Sequence, residues 1–224
     1  AAAFTSAARK YLTVTVGYKV MYEINRVTTV LPATLVGTIL FTQYGRGIRE
    51  SDLVKKVRWL RRQVITQGGR VQMVPEDALH ESIMKTVDQV LAGSVKGKLV
   101  KRHKDILMLS VYSPAERMEL SLYRNQLIHL FVSEGILLCS FYACELESTS
   151  NPAWVDKEDL RTAVQFLSQL LKLEFIFKPS PGIDVILDQT VRSLIDQGIL
   201  LAEEVDGRER YCVNDQLGAD GEYQ

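Results

Sequence analysis

Two apolar stripes of the same spacing, 107 residues apart, constrain this chain more than any other feature. Leu53, Val57, Leu60 and Val64 recur at steps of four, three and four, the spacing that lines one face of an α-helix. Leu160, Val164, Leu167 and Leu171 repeat it. Asp52 precedes the first stripe and Asp159 the second, and Trp59 is mirrored by Phe166. An agreement of spacing, helix start and aromatic position predicts a tandem duplication.

The flanking segments extend the repeat. An apolar segment precedes each stripe, Leu35 to Phe41 and Leu130 to Tyr142. A third helix follows each, from about Asp77 to Leu91 with Ile83, Val87 and Val90 inward, and from Val185 to Ile195 with Leu187, Val191 and Leu194 inward. Each copy ends in two short apolar runs separated by charged residues, the pattern of a hairpin. The runs are Leu99-Val100 with Ile106 to Leu109, and Ile199 to Leu201 with Tyr211 to Val213. Asp206-Gly207 supplies a turn signal in the second. The expected fold is mainly α (α+β), with two tandem winged-helix-like units of three helices plus a β-hairpin each. Ser113-Pro114 breaks structure between them, giving units at residues 1–114 and 115–215 and a disordered tail at 216–224.

Charge divides the chain as clearly as the repeat does. Net charge is zero, yet residues 1–105 hold 18 Lys/Arg against 8 Asp/Glu, and residues 106–224 hold 9 against 19. A basic half can face an anionic surface, an acidic half can dock on a basic one, or the two halves can complement each other. Cys139, Cys144 and Cys212 lack metal-ligand spacing and read as reduced core thiols. His80, His103 and His129 share no ligand spacing, so neither a metal nor another cofactor is expected. The small-residue start without an initiator Met reads as a cut from a longer chain.

Winged helices often place the third helix in a nucleic-acid groove, but these third helices are poor in cations. Asp77, Glu81 and Asp88 oppose Lys85 in one, and Asp188 opposes Arg192 in the other, so nucleic acid is not an expected partner. The cations gather on the second helix and first hairpin, where Lys55, Arg58, Arg62, Lys101 and Arg102 are the candidate contacts to an anionic surface. Lys55, Trp59 and Arg62 share a helix face that suits a membrane interface. The aromatic in both copies favours a second packed face over that contact. Leu127 to Cys144 is long enough to approach a bilayer span, but it holds His129 and Glu134, which favours a core helix.

Glu119 to Phe131 reads ELSLYRNQLIHLF, with Tyr123, Asn125 and His129 as Y-x-N-x-x-x-H. This block resembles the region downstream of the catalytic domain in glycerol-3-phosphate and dihydroxyacetone-phosphate acyltransferases. Further blocks resemble that family in the same order: Tyr18 to Pro32 with Leu35-Val36, then Arg46-Gly47 with Asp52-Leu53, then Leu167 to Phe175 and Leu194 to Leu200. Within the block, Tyr123, Arg124, Asn125 and His129 are the family-signature residues, with a structural or accessory role implied.

The family's H-x-x-x-x-D pair and its F-P-E-G-T-R-type phosphate block are both missing from this sequence. His80 is followed at the Asp position by Lys85, His103 by Met108 and His129 by Glu134, so no catalytic residue carries over. The resemblance therefore implies a non-catalytic C-terminal region that supports the catalytic acyltransferase domain of the same parent chain. Acyl-CoA or acyl-carrier protein and glycerol phosphate would be met only through that parent, peripherally at a membrane. The competing expectation is a tandem winged-helix binding or scaffolding module with no enzymatic parent. An H-x-x-x-x-D motif upstream of Ala1 would separate the two.

Overall fold

The computed structural model describes residues 5–42, 47–88, 100–109, 114–145, 154–177 and 182–214, the side chains of 115–117, 119 and 120 excepted. The expected inward Val90, the hairpin's Leu99, the Ser113 break and the tail at 216–224 lie outside them.

The first helix, α1 (Ser6–Val27), buries none of its residues. It leads through β1 (Thr29–Val30) into α2 (Pro32–Thr42), which opens on a proline, whose missing N–H is no loss in a first turn. Then come β2 (Ile48–Arg49), α3 (Glu50–Thr66), β3 (Arg70–Val71), α4 (Leu79–Thr86), β4 (Val100–His103) and β5 (Ile106–Leu109). A 32-residue helix, α5 (Pro114–Glu145), follows. The chain continues with β6 (Val155–Asp156), α6 (Lys157–Leu170), α7 (Ile183–Asp196), β7 (Leu200–Val205) and β8 (Arg208–Val213).

The chain forms two compact units, divided within α5 between Leu130 and Phe131. Residues 24–130 make one, and the other is built from residue 131 onward together with α1 as far as Glu23. In the first, α2, α3 and α4 pack on one another, and β2 joins the hairpin in the order β2-β5-β4. In the second, α6 packs on α7 and the sheet runs β6-β8-β7. Short strand, helix, helix and hairpin, with the short strand added to the hairpin's second strand, thus occur twice. The mainly α chain with small sheets is the fold class expected from the sequence. Thr29–Val30 and Arg70–Val71 add a short parallel pair to the first unit.

The repeated stripes account for both cores. Leu53, Val57, Leu60 and Val64 are all buried, as are Leu160 and Val164, while Leu167 and Leu171 pack at the edge of the second core. Ile136, Leu137 and Phe141 of α5 complete that core with Leu187, Val191, Leu194, Leu200 and Tyr211. The second hairpin turns at Asp206-Gly207, with φ of 52° and 74°, so both central residues have the positive φ of a type I′ turn. Only glycine adopts that conformation without a Cβ penalty, which explains Gly207.

Two expectations need correction. Phe166, expected to pack like Trp59, is 65% exposed, because α6 buries only its stripe face, whereas Trp59 is half-buried. Cys139, expected in a core, is exposed on α5, and Cys144 is half-buried; Cys212 alone of the three is buried.

Candidate functional site

The signature block lies on the first half of α5 and clamps that helix onto α2. Thr34, Gly37 and Phe41 recur on α2 at helical spacing and meet the signature turn of α5. At Gly37 the helices are so close that a Cβ would stand 2.9 Å from the Cβ of Tyr123 and 3.0 Å from its Cγ. No residue larger than glycine fits there without moving a helix. On one side of this contact the buried Thr34 hydroxyl donates to Gln126 Oε1 at 2.5 Å. On the other the Arg124 guanidinium lies 5.0 Å from the centre of the Phe41 ring, in cation–π range.

His129 ties a third element to the clamp. Its half-buried imidazole hydrogen-bonds to the backbone at Asn25, in the last turn of α1, and at Gln126. Burial depresses its pKa below the usual histidine value, and the two backbone bonds only partly oppose this. The next residue, Leu130, sits so near Gly69 that a Cβ there would lie 2.8 Å from its Cδ1. Asn125 points elsewhere. It is exposed, and its side-chain oxygen accepts from Arg124 Nη2 at 3.2 Å. The signature thus brings Tyr123, Arg124 and His129 together against one unit and leaves Asn125 on the surface.

The candidate anionic-surface residues divide. Arg58 donates to Glu76 at 3.2 Å, and Arg102 meets Glu50 at 2.7 Å and Asp88 at 3.5 Å, so both have acidic partners in their own unit. Lys55 and Arg62 are exposed on α3, and Lys101 is exposed on β4. His80 and His103 are exposed and far apart in sequence, and among the described residues no group of three His, Cys, Asp or Glu side chains is placed to hold a metal ion.

Sequence reasoning missed the α2 half of the clamp. Gly37 inside an apolar helical run was the available signal, since an interior glycine marks close approach of another backbone.

Two apolar surfaces stand open. Along α1, Tyr11, Val14, Tyr18 and Met21 share one face, and Leu12, Val16, Val20 and Ile24 share the opposite one; all eight are exposed. Along α6, Phe166 and Leu170 are 65% and 64% exposed, with Leu173 at 79% just beyond. The window Ser121–Glu145 of α5 is long and apolar enough to cross a membrane. Its Leu127, Ile136, Leu137 and Phe141 are buried in protein, however, and Ser140 donates to the Ile136 carbonyl. Leu122, Leu138, Cys139 and Tyr142 of the same window are exposed, so the helix buries one face in protein and leaves another open.

A mainly α chain, built of two helix-and-hairpin units with an α2–α5 clamp at its signature block, is the class of protein that fold and site define. The family model for the glycerol-3-phosphate acyltransferase C-terminal region matches residues 3–219, and the chain belongs to that family. Mitochondrial glycerol-3-phosphate acyltransferase 1 of Sus scrofa is 22% identical over 206 residues, covering 90% of this chain and 25% of that protein. The Homo sapiens protein of the same name is 22% identical over 208 residues, with the same coverages. The chain therefore spans about a quarter of the length of the curated relatives it matches.

Proposed function

We propose that this chain is the non-catalytic C-terminal region of a glycerol-3-phosphate or dihydroxyacetone-phosphate 1-O-acyltransferase of phospholipid synthesis, and that the catalytic domain of its parent docks on it. The observation that carries this reading is α1. A 22-residue helix with exposed apolar side chains on two faces and no buried residue gains little from packing, and packing is where most helical stability in proteins comes from. Such a helix belongs between two surfaces, and the rest of a parent as long as the matched relatives supplies one. The Phe166-Leu170-Leu173 ridge offers a second contact of the same kind.

The units are read as winged helices kept for attachment rather than nucleic-acid binding. Exposed Glu81 opposes Lys85 on α4, and Asp184, Asp188 and Asp196 outnumber Arg192 on α7, so neither third helix has a surplus of positive charge for phosphates. The catalytic domain would supply the acceptor and acyl-donor sites, and this region would hold that domain in register, peripherally at a membrane. Purified residues 1–224 incubated with labelled acyl-CoA and either phosphate acceptor test the non-catalytic part of the reading. No turnover above a protein-free control is expected, because no His-Asp pair of the family's spacing is present to deprotonate the acceptor hydroxyl. Measurable turnover would overturn it.

A further inference from the structure

The two units build the same three-stranded sheet with opposite charges at its first strand. Ile48 pairs with Leu107 and Arg49 with Ile106 in one; Val155 pairs with Tyr211 and Asp156 with Arg210 in the other. The next residue begins a helix in each case, Glu50 of α3 and Lys157 of α6. The sequence at this joint is therefore Ile-Arg-Glu in the first unit and Val-Asp-Lys in the second.

Each joint is locked by its own ions. Glu50 meets Arg102 of β4 at 2.7 Å, and Arg102 also reaches Asp88, just past α4. Lys157 meets Glu209 of β8 at 2.7 Å and Asp188 of α7 at 3.2 Å. Asp156 lies 3.0 Å from Arg210 Nε, an ion pair without hydrogen-bond alignment. Glu209 also accepts from the Tyr211 hydroxyl at 3.0 Å. In the first unit Glu50 and Asp88 thus converge on Arg102 of the hairpin, and in the second Glu209 and Asp188 converge on Lys157 at the joint.

The first strands are otherwise alike, although the hairpin residues they meet differ, Leu107 and Ile106 in one unit and Tyr211 and Arg210 in the other. Backbone pairing is blind to sequence, and Ile48 and Val155 are β-branched residues of similar shape. Exchange of equivalent elements is a characteristic failure of repeat proteins, and specificity against it needs a repulsive element. Placing β2 on β8 in the native register would set Arg49 opposite Arg210 and Glu50 beside Glu209 and Asp188. The reciprocal exchange would set Lys157 beside Arg102. Like charges directly opposite on paired strands are destabilising.

We propose that the charge reversal between Arg49-Glu50 and Asp156-Lys157 keys each first strand to its own hairpin and so prevents the two copies from exchanging strands during folding. The surfaces involved are those of this chain alone, and the proposal stands whether or not the region supports an acyltransferase.

The test is a disulfide competition in the full chain. The native register, continued by one residue, brings Trp154 opposite Cys212, and the exchanged register would bring Trp154 opposite Met108. A chain with Trp154→Cys and Met108→Cys, Cys212 retained, and Cys139→Ser with Cys144→Ser, is refolded under thiol–disulfide exchange. The 154–212 and 108–154 bridges are then counted by peptide mapping. With native charges the 154–212 bridge should dominate, and high salt should raise the 108–154 share by screening the key. Asp156→Arg with Lys157→Glu should raise that share severalfold. Adding Glu209→Lys and Arg210→Glu should restore the native bridge. A ratio indifferent to salt and to both sets of reversals would overturn the proposal, and the salt series decides it even where a reversed variant fails to fold.

Discussion

Replacing Gly37 by alanine tests the α2–α5 clamp with a single methyl group. Two opposed terms set its effect. Alanine is favoured over glycine in a helix interior by about 1 kcal/mol, and overpacking a close contact costs about 1–3 kcal/mol. The added Cβ would meet the Cβ of Tyr123 at 2.9 Å, an atom fixed to the α5 backbone that cannot swing away. Thr34 bonded to Gln126 on one side and Arg124 over Phe41 on the other hold α5 in place, so the strain should fall in the upper half of the range. The expected net effect is a destabilisation of about 1–2 kcal/mol, a fall in midpoint of about 2–8 °C for a chain of this size. Gly135→Ala is the matched control, since a Cβ at that position of α5 meets nothing within 4 Å. It should raise stability by up to about 1 kcal/mol. In a Tyr123→Gly background, which removes the Cβ and the ring together, Gly37→Ala should change sign and become stabilising. Thermal and urea unfolding followed by circular dichroism reads all four. A Gly37→Ala midpoint that rises with the Gly135→Ala one would refute the clamp.

Further outcomes follow from the same geometry. Burial lowers the folded pKa of His129 below 6.5, so the unfolded chain binds its proton first as pH falls. Stability should therefore decline as pH drops through the unfolded value and level off below the folded one, a step that His129→Gln removes in urea titrations between about pH 8 and pH 5. Gln126→Ala should cost about 1–3 kcal/mol by leaving the buried Thr34 hydroxyl without its acceptor, while exposed Asn125→Ala should stay within about 0.5 kcal/mol; equal losses from both would count against the assignment. If exposed Lys55 and Arg62 meet an anionic surface, flotation on phosphatidylglycerol vesicles should occur at low salt, fade as the Debye length shrinks to about 8 Å at physiological salt, and vanish in Lys55→Glu with Arg62→Glu.

The parts of the fold legible in the sequence are those with a long apolar period. The stripes of α3 and α6 report their own burial, and the Asp206-Gly207 turn is visible because few residues tolerate its backbone. Strands β2 and β6 were not readable, since two residues carry no period, and their place in the sheets comes from the hairpins they join. Helix α1 hides for a different reason. Leu12, Val14, Val16, Tyr18 and Val20 alternate with Thr13, Thr15, Gly17 and Lys19, the period of a strand, yet the segment is helical. At the site, the signature identifies Tyr123, Arg124 and His129 but not Thr34, Gly37 or Phe41, because the α2 half of a helix crossing is fixed by tertiary approach rather than by local pattern.

The central claim is that a catalytic acyltransferase domain docks on this region through the open apolar face of α1. The most direct measurement titrates purified residues 1–224 into the catalytic portion of the parent, expressed without them, and follows both complex formation by ultracentrifugation and acyl transfer to glycerol-3-phosphate. The account predicts a saturable complex with increased turnover, both lost in a Val14→Asp and Tyr18→Asp variant whose circular dichroism is unchanged. A catalytic portion that neither binds this chain nor gains activity from it, or one that binds the variant equally well, would contradict it.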